Sequence, residues 1–125
     1  MPAVLNTLLI YARDPAASAE FYHRHFGFVS SGEMVEGLIE LSAPEGGANI
    51  LIHQAAKSVK LGQAGVKLMF SVPDVDGFKA QCARQGLEFG ATHQANGYAF
   101  ANAKDPDGNS VSISSRAYRA TAAAG

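Results

Sequence analysis

The stretch that decides the fold is Lys104-Asp105-Pro106-Asp107-Gly108-Asn109-Ser110-Val111-Ser112-Ile113. Its first half predicts a tight turn, because proline presets φ and glycine accepts positive φ. In its second half the apolar residues Val111 and Ile113 alternate with serines, which is the period-2 pattern of a strand with one apolar face. Residues 48–53 align with residues 109–114 at an offset of 61 positions. We therefore interpret the chain as a duplication.

The composition is typical of an ordinary globular protein of a single domain. The chain has 125 residues, of which 47% are apolar and 17% are charged. A net charge of −1 without a basic cluster argues against nucleic acid or an anionic membrane as partner. The single cysteine, Cys82, excludes an internal disulfide. We find neither a signal sequence nor an apolar run of about 20 residues. The sequence thus predicts a cytoplasmic protein.

Each half of the chain is predicted to begin with a strand and a helix. Asp14 and Pro15 have the residue types of an N-cap and a first helical position, and Gly27 suits the C-terminal end. Asp74 and Gly86 mark the second helix in the same way. The two first strands are predicted at residues 4–12 and 65–72.

Three short strands are predicted after each helix, where apolar residues alternate with polar ones between turn residues. They cover residues 28–36, 37–42 and 48–54 in the first half, and residues 87–93, 98–103 and 110–115 in the second. The prediction is an α+β fold of two βαβββ modules in one domain, residues 1–116. Module one spans 3–54, a linker spans 55–64, module two spans 65–116, and residues 117–125 form a flexible tail.

This pattern resembles the vicinal oxygen chelate superfamily, which includes glyoxalase I, extradiol dioxygenases, fosfomycin-modifying enzymes and bleomycin-resistance proteins. The resemblance covers residues 3 to 116 and rests on the two modules and on the turn at residues 105–109. It implies a curved mixed sheet around a ligand cavity, with the helices packed outside. It also implies a homodimer.

The resemblance further implies where a metal would bind. In metal-dependent relatives the ligands come from the first and last strands of each module, and the corresponding residues here are Thr7, Leu51, Lys67 and Ser112. Imidazoles and carboxylates bind divalent metals, whereas an ammonium repels them and a leucine offers no lone pair. We therefore predict that the chain uses no metal and no other cofactor.

Strand alternation predicts which side chains line the ligand site. The residues expected to contact a small-molecule ligand share the strand face opposite the helices; they are Thr7, Leu9, Tyr11, Leu51, His53, Lys67, Met69, Phe100, Ser112 and Ser114. Tyr98 and Asn102 extend this face. Its mixture of aromatic, thioether, hydroxyl and amine groups suits a flat organic molecule with a polar or anionic group. Lys67 is expected to pair with that group, or with a carboxylate such as Glu40.

The other histidines are weaker candidates. His23 and His25 are expected to lie in solvent at the end of the first helix, where cations favour the helix dipole. His93 is expected in a loop. None of these forms a pair with helical metal-ligand spacing.

Two functions from different classes follow. The first is a metal-independent small-molecule-binding protein of the bleomycin-resistance type, which sequesters an aromatic or drug-like compound. The alternative is a metal-dependent glyoxalase-like lyase or dioxygenase with an atypical ligand set. Catalysis without a metal, by Lys67 or Tyr11, lacks an identifiable activating partner. Catalytic residues therefore remain unassigned.

Overall fold

The computed structural model describes residues 1–120, which form two compact units. Unit one consists of residues 1–64 with 106–108, and unit two of residues 65–105 with those from 109 onward. Each unit contains one helix and a small sheet with parallel and antiparallel strand pairs. The predicted α+β class is confirmed. Within the described residues the sheet of each unit is open and does not close on itself.

Unit one contains three strands and a helix. In chain order these are β1 (Thr7–Ala12), α1 (Pro15–Phe26), β2 (Leu38–Leu41) and β3 (Asn49–Gln54). The strand order is β1-β3-β2, with β1 parallel and β2 antiparallel to β3. The central strand alternates buried Ile50 and Ile52 with half-buried neighbours, so one face of the sheet forms the core.

Unit two contains four strands and a helix. They are β4 (Lys67–Ser71), α2 (Val75–Arg84), β5 (His93–Gln94), β6 (Ala99–Lys104) and β7 (Ser110–Ser114). The strand order is β4-β7-β6-β5. Strand β7 is central, parallel to β4 and antiparallel to β6, and its Val111 and Ile113 are fully buried.

The strand registers repeat between the units. Thr7 is paired with Asn49 in unit one, and Lys67 is paired with Ser110 in unit two. Asn49 and Ser110 are equivalent in the internal alignment, and Thr7 and Lys67 are the first residues of their strands. The duplication seen in the sequence is therefore also present in the backbone pairing.

The helix starts agree with the sequence prediction. Asp14 accepts a hydrogen bond from the backbone N–H of Ala17 at 3.2 Å, and Asp74 accepts one from Gly77 at 3.0 Å. The two aspartates have almost the same extended backbone, with φ of −127° and −126°. Each satisfies a helix N–H that has no partner within the helix. Gly27, with φ of 78°, ends α1 as predicted.

Two predicted strands are largely missing from the structure. Residues 28–36 form only isolated bridges, because the hydroxyls of Ser30 and Ser31 accept hydrogen bonds from the N–H groups of Gly32 and Glu33 and turn the chain locally. Of residues 87–93, only His93 lies in a strand. The sequence analysis expected His93 in a loop, whereas the structure places it in a short strand.

The turn that decides the fold is fixed to unit one through Asp107. Its Oδ1 accepts a hydrogen bond from the backbone N–H of Arg13 at 3.0 Å, and its Oδ2 accepts one from the hydroxyl of Ser18 at 3.1 Å. Ser18 is fully buried in α1. This explains why the turn carries a second aspartate: the carboxylate joins residues far apart in sequence.

Arg13 also holds the segment predicted as a linker. Its guanidinium donates hydrogen bonds to the carbonyl oxygens of Ala56 at 2.9 Å and Val59 at 2.6 Å. Gly62 then passes so close to the 106–108 turn that a Cβ atom there would lie 2.6 Å from the carbonyl oxygen of Asp107. Residues 55–64 are therefore part of the packed structure of unit one.

A short 3-10 helix, Arg116–Tyr118, extends into the first two residues of the predicted tail. The rest of the prediction, residues 121–125, lies outside the described residues. Within residues 1–120 no helix is long and apolar enough to cross a membrane.

His25 contradicts the expectation of a solvated helix end. Its ring is half-buried, lies 5.1 Å from the ring of Phe21, and has an Nδ1 atom without a hydrogen-bond partner among the described residues. Burial lowers the pKa of His25 below 6.5, and Arg24 lowers it further, whereas Glu20 opposes the shift.

A lowered histidine pKa makes stability depend on pH. The unfolded chain binds a proton near pH 6.5 while the folded ring remains neutral, so stability present above that pH is lost as the pH falls through the folded pKa. We expect urea unfolding to show a smaller loss of stability between pH 7.5 and 5.5 (about one pH unit to either side of that value) for His25→Gln than for the unchanged chain. An equal loss in the two proteins would contradict this assignment.

Candidate ligand-binding site

The exposed face of the unit-one sheet carries the side chains that the sequence predicted there. Leu9 is 45% exposed and Tyr11 is 49% exposed, whereas the alternating residues Leu8 and Ile10 are half-buried and Ala12 is fully buried. Leu51 lies opposite Leu9, and His53 lies opposite Tyr11 with the ring centroids 5.4 Å apart. Thr7 is also exposed and donates to Asn6 at 2.8 Å. The structure thus brings all five predicted residues of unit one onto one face.

The hydrogen bonding of His53 indicates which ring nitrogen carries a proton. Nδ1 lies 2.7 Å from the carbonyl oxygen of Gln54, and because a carbonyl only accepts, Nδ1 carries the proton in this contact. In the neutral ring with this tautomer, Nε2 is an acceptor. The neighbouring Leu51 and Tyr11 offer a ligand an apolar and an aromatic surface rather than further metal ligands.

The unit-two face is organised around Lys67. Its Nζ donates a hydrogen bond to Oδ1 of Asn102 at 2.9 Å and lies 5.9 Å from the ring centroid of Phe100. The expected carboxylate partner was therefore wrong, since the ammonium binds a neutral amide. Met69, on the same strand face, is 55% exposed. An exposed cation, a thioether and an aromatic ring thus share this face.

Two predicted contact residues, Ser112 and Ser114, are buried, at 0% and 3% exposure. The Ser114 hydroxyl oxygen accepts a hydrogen bond from the N–H of Arg116 at 3.1 Å. Ser112 lies between Met69 on β4 and Asn102 on β6. Because the serine side chains of β7 are small, the longer side chains of Lys67 on β4 and Asn102 on β6 can meet above that strand.

Sequence reasoning missed part of the unit-two face. The His93 ring lies 5.1 Å from Phe100, and the guanidinium carbons of Arg116 and Arg119 each lie 5.9 Å from the ring centroid of Tyr98. The available signal was the spacing of the two arginines, three residues apart directly after the last strand. Arg116 begins the short 3-10 helix, and Arg119 is its C-cap residue, whose backbone N–H donates to the Arg116 carbonyl oxygen at 3.3 Å.

The four positions implied as metal ligands do not form a metal site. Thr7 and Leu51 lie on adjacent strands of unit one, and Lys67 and Ser112 lie on adjacent strands of unit two. Each pair shares a face, but neither includes a carboxylate or an imidazole. Among residues 1–120 no group of three or more His, Cys, Asp or Glu side chains is arranged to hold a metal ion. This donor chemistry does not fit a divalent cation.

A shallow cleft of about 280 Å³ lies beside α1, lined by Ala16, Ala19, Glu20, His23 and residues 30–32. None of these is a predicted site residue. His23 Nδ1 is bound to the carbonyl oxygen of Phe28 at 2.7 Å, and Glu20 is paired with Arg24 at 2.9 Å. The polar groups of this cleft are thus engaged in local structure.

The fold and the residues together define a class of protein. The family model of the glyoxalase/bleomycin resistance protein/dioxygenase superfamily matches residues 4–113. The chain therefore belongs to this superfamily, as the sequence resemblance indicated. No curated protein sequence matches it.

Solved structures share the fold at low sequence identity. TnmS3, an antibiotic-binding protein from Streptomyces sp. CB03234, superposes with a TM-score of 0.74 and 16% identity, covering 90% of this chain and 94% of that one. A lactoylglutathione lyase from Agrobacterium tumefaciens gives a TM-score of 0.70 and 21% identity, covering 91% and 94%. UcmS2 superposes with a TM-score of 0.76 and 17% identity, covering 92% of this chain and 99% of that one. The neighbours thus include both a binding protein and an enzyme.

Proposed function

We propose that this chain is a metal-independent binding protein that sequesters a small aromatic or drug-like molecule. The observation that carries the proposal is Lys67. An ammonium stands at a position where the family resemblance implies a metal ligand, and it is bonded to Asn102 on an exposed sheet face. A cation there opposes a divalent metal and favours an anionic or strongly polar ligand group.

The apolar part of the ligand would bind to the exposed rings and aliphatic side chains. Met69, on the same strand face of unit two as Lys67, is about half exposed, which leaves apolar surface in water. Covering about 100 Å² of such surface contributes roughly 2.5 kcal/mol to binding. Phe100 adds a ring face beside the ammonium. The antibiotic-binding activity in the printed name of TnmS3 is consistent with this proposal.

The alternative of a metal-dependent lyase or dioxygenase has less support. The lyase among the structural neighbours shares the fold, but the donor set at Thr7, Leu51, Lys67 and Ser112 does not suit a divalent ion. We further propose that the protein acts in the cytoplasm as a homodimer, with neither nucleic acid nor membrane as partner. Light scattering that finds only monomer would contradict the dimer.

The test replaces Lys67 with methionine, which keeps an apolar stem of similar length and removes the charge. Calorimetric affinity for naphthoate is expected to fall by about 1–3 kcal/mol, the range for a hydrogen bond to a charged group. Affinity for the neutral naphthamide is expected to change little, because the ring surface remains.

The matched control is Lys79→Met, since Lys79 is a lysine of unit two whose Nζ donates to the Thr92 hydroxyl at 3.0 Å instead of lying on the strand face. It removes the same charge and should leave both affinities unchanged. Equal naphthoate affinity of Lys67→Met and the unchanged protein would show that Lys67 is a surface lysine without a ligand role.

A further inference from the structure

Unit two carries three rings in succession, which we call the aromatic shelf: His93, Phe100 and Tyr98. The planes of His93 and Phe100 are inclined by 32°, and those of Phe100 and Tyr98 by 37° with their centroids 6.4 Å apart. His93 is exposed, and the other two rings are partly accessible. These inclined rings offer the ring system of a ligand several aromatic contacts side by side.

Three cations lie over this shelf. Lys67 is above the middle ring, Phe100, and the guanidinium groups of Arg116 and Arg119 are near the end ring, Tyr98. All three distances are 5.9 Å, within the range of cation–π attraction. In the part of the chain that the structure describes, no carboxylate pairs with any of the three.

The acidic residues of unit two are Asp74, Asp76, Glu88 and Asp105. The first caps α2, the second binds the Thr92 hydroxyl, and Asp105 is buried and bound to Asn109. Glu88 lies in the segment after α2. Among residues 1–120, none of these carboxylates forms an ion pair with the three cations over the shelf, so the cations are available to an anionic ligand.

The arginine pair retains most of its donors. Arg119 uses Nη1 to bind the carbonyl oxygen of Arg116 at 2.6 Å, whereas the Arg116 guanidinium donates to no acceptor among residues 1–120. Guanidinium groups match the planar geometry of a carboxylate with two parallel hydrogen bonds. Lys67, at the neighbouring ring, provides a separate positive charge.

We propose that the ligand is a flat aromatic dianion with one anionic group at Arg116 and Arg119 and the other at Lys67, its ring system resting on the aromatic shelf. This inference rests on the proposed function and narrows it to one ligand class. Stacked rings with cations also suit single-stranded nucleic acid. The net charge of −1 of the whole chain favours a small anion instead.

The test compares three probes by calorimetry: a naphthalene dicarboxylate with its carboxylates at opposite ends, naphthoate and naphthamide. The dicarboxylate is expected to bind at least about tenfold more tightly than naphthoate, as a second charged hydrogen bond implies. Arg116→Gln should abolish that advantage and leave naphthamide affinity unchanged. The control is Arg84→Gln, which removes one charge at the end of α2 and should preserve the advantage.

The outcomes separate the two proposals. If naphthamide binds and the dicarboxylate binds no more tightly than naphthoate, the inference of a dianionic ligand is wrong and the proposed function stands. Absence of binding for all three probes would overturn both. If Arg84→Gln and Arg116→Gln lost the same part of the dicarboxylate's affinity advantage, the advantage would depend only on net charge, and the assigned site would be wrong. Displacement of the dicarboxylate by a tighter-binding single-stranded oligonucleotide would overturn the small-molecule ligand.

Discussion

Replacing Gly62 with alanine is expected to lower the free energy of unfolding by about 3 kcal/mol or more. The residue has φ of +74°, a left-handed conformation that costs a non-glycine residue about 1–2 kcal/mol. The new Cβ would also lie 2.6 Å from the carbonyl oxygen of Asp107, which is backbone and cannot rotate away. Urea denaturation measures the loss.

Gly32 provides a matched control for this substitution. Its φ is +75°, but a Cβ there would have nothing within 4 Å. Gly32→Ala should therefore show the conformational cost alone, about 1–2 kcal/mol. If the two variants lost the same stability, the close approach of residues 62 and 107 would have no energetic consequence, and the packing described for the turn would be wrong.

Asp107→Ala is the second change with a large expected effect, a loss of roughly 2–4 kcal/mol in the free energy of unfolding. The substitution removes the acceptor of two hydrogen bonds to a carboxylate, each worth about 1.5–3 kcal/mol before local relaxation. It also leaves the hydroxyl of Ser18, which is fully buried, without this partner. Urea denaturation at constant pH gives the value.

A double-mutant cycle with Ser18→Ala isolates the contact between the two side chains. Residues in direct contact show coupling energies of about 0.5–3 kcal/mol, whereas independent sites add. We expect Ser18→Ala to cost clearly less in the Asp107→Ala background than in the unchanged protein. Strict additivity would mean that Asp107 stabilises the fold without binding Ser18.

The local features of this fold could be predicted from sequence because each depends on neighbouring residues. Asp14 and Asp74 cap the helices that follow them directly, and Gly27 takes the left-handed conformation that its position needs. Residues 28–36 were predicted as a strand because their apolar residues suggested one. The strand prediction did not take account of Ser30 and Ser31, whose hydroxyl oxygens accept hydrogen bonds from nearby backbone N–H groups.

The sequence predicted which side chains share a strand face, but it did not predict the contacts between them. Period-2 alternation placed Leu9, Tyr11 and Met69 correctly on exposed faces. The partner of Lys67 was missed because Asn102 lies two strands away, about 9.6 Å at ordinary strand spacing, and is reached across a strand of small serines. That contact depends on strand order, which local pattern does not give. Arg119 was missed because residues 117–125 were predicted as a flexible tail, and Arg116 directly precedes that segment.

Metal independence is the central claim, and a titration of the naphthalene dicarboxylate tests it most directly. Protein treated with a chelator is titrated alone and again after addition of zinc or manganese, with elemental analysis of the protein as purified. Since Thr7, Leu51, Lys67 and Ser112 offer no suitable ligand set, we predict the same affinity in all titrations and no stoichiometric metal. Binding that appears only with the added ion, or a purified protein carrying a stoichiometric divalent metal, would contradict the account.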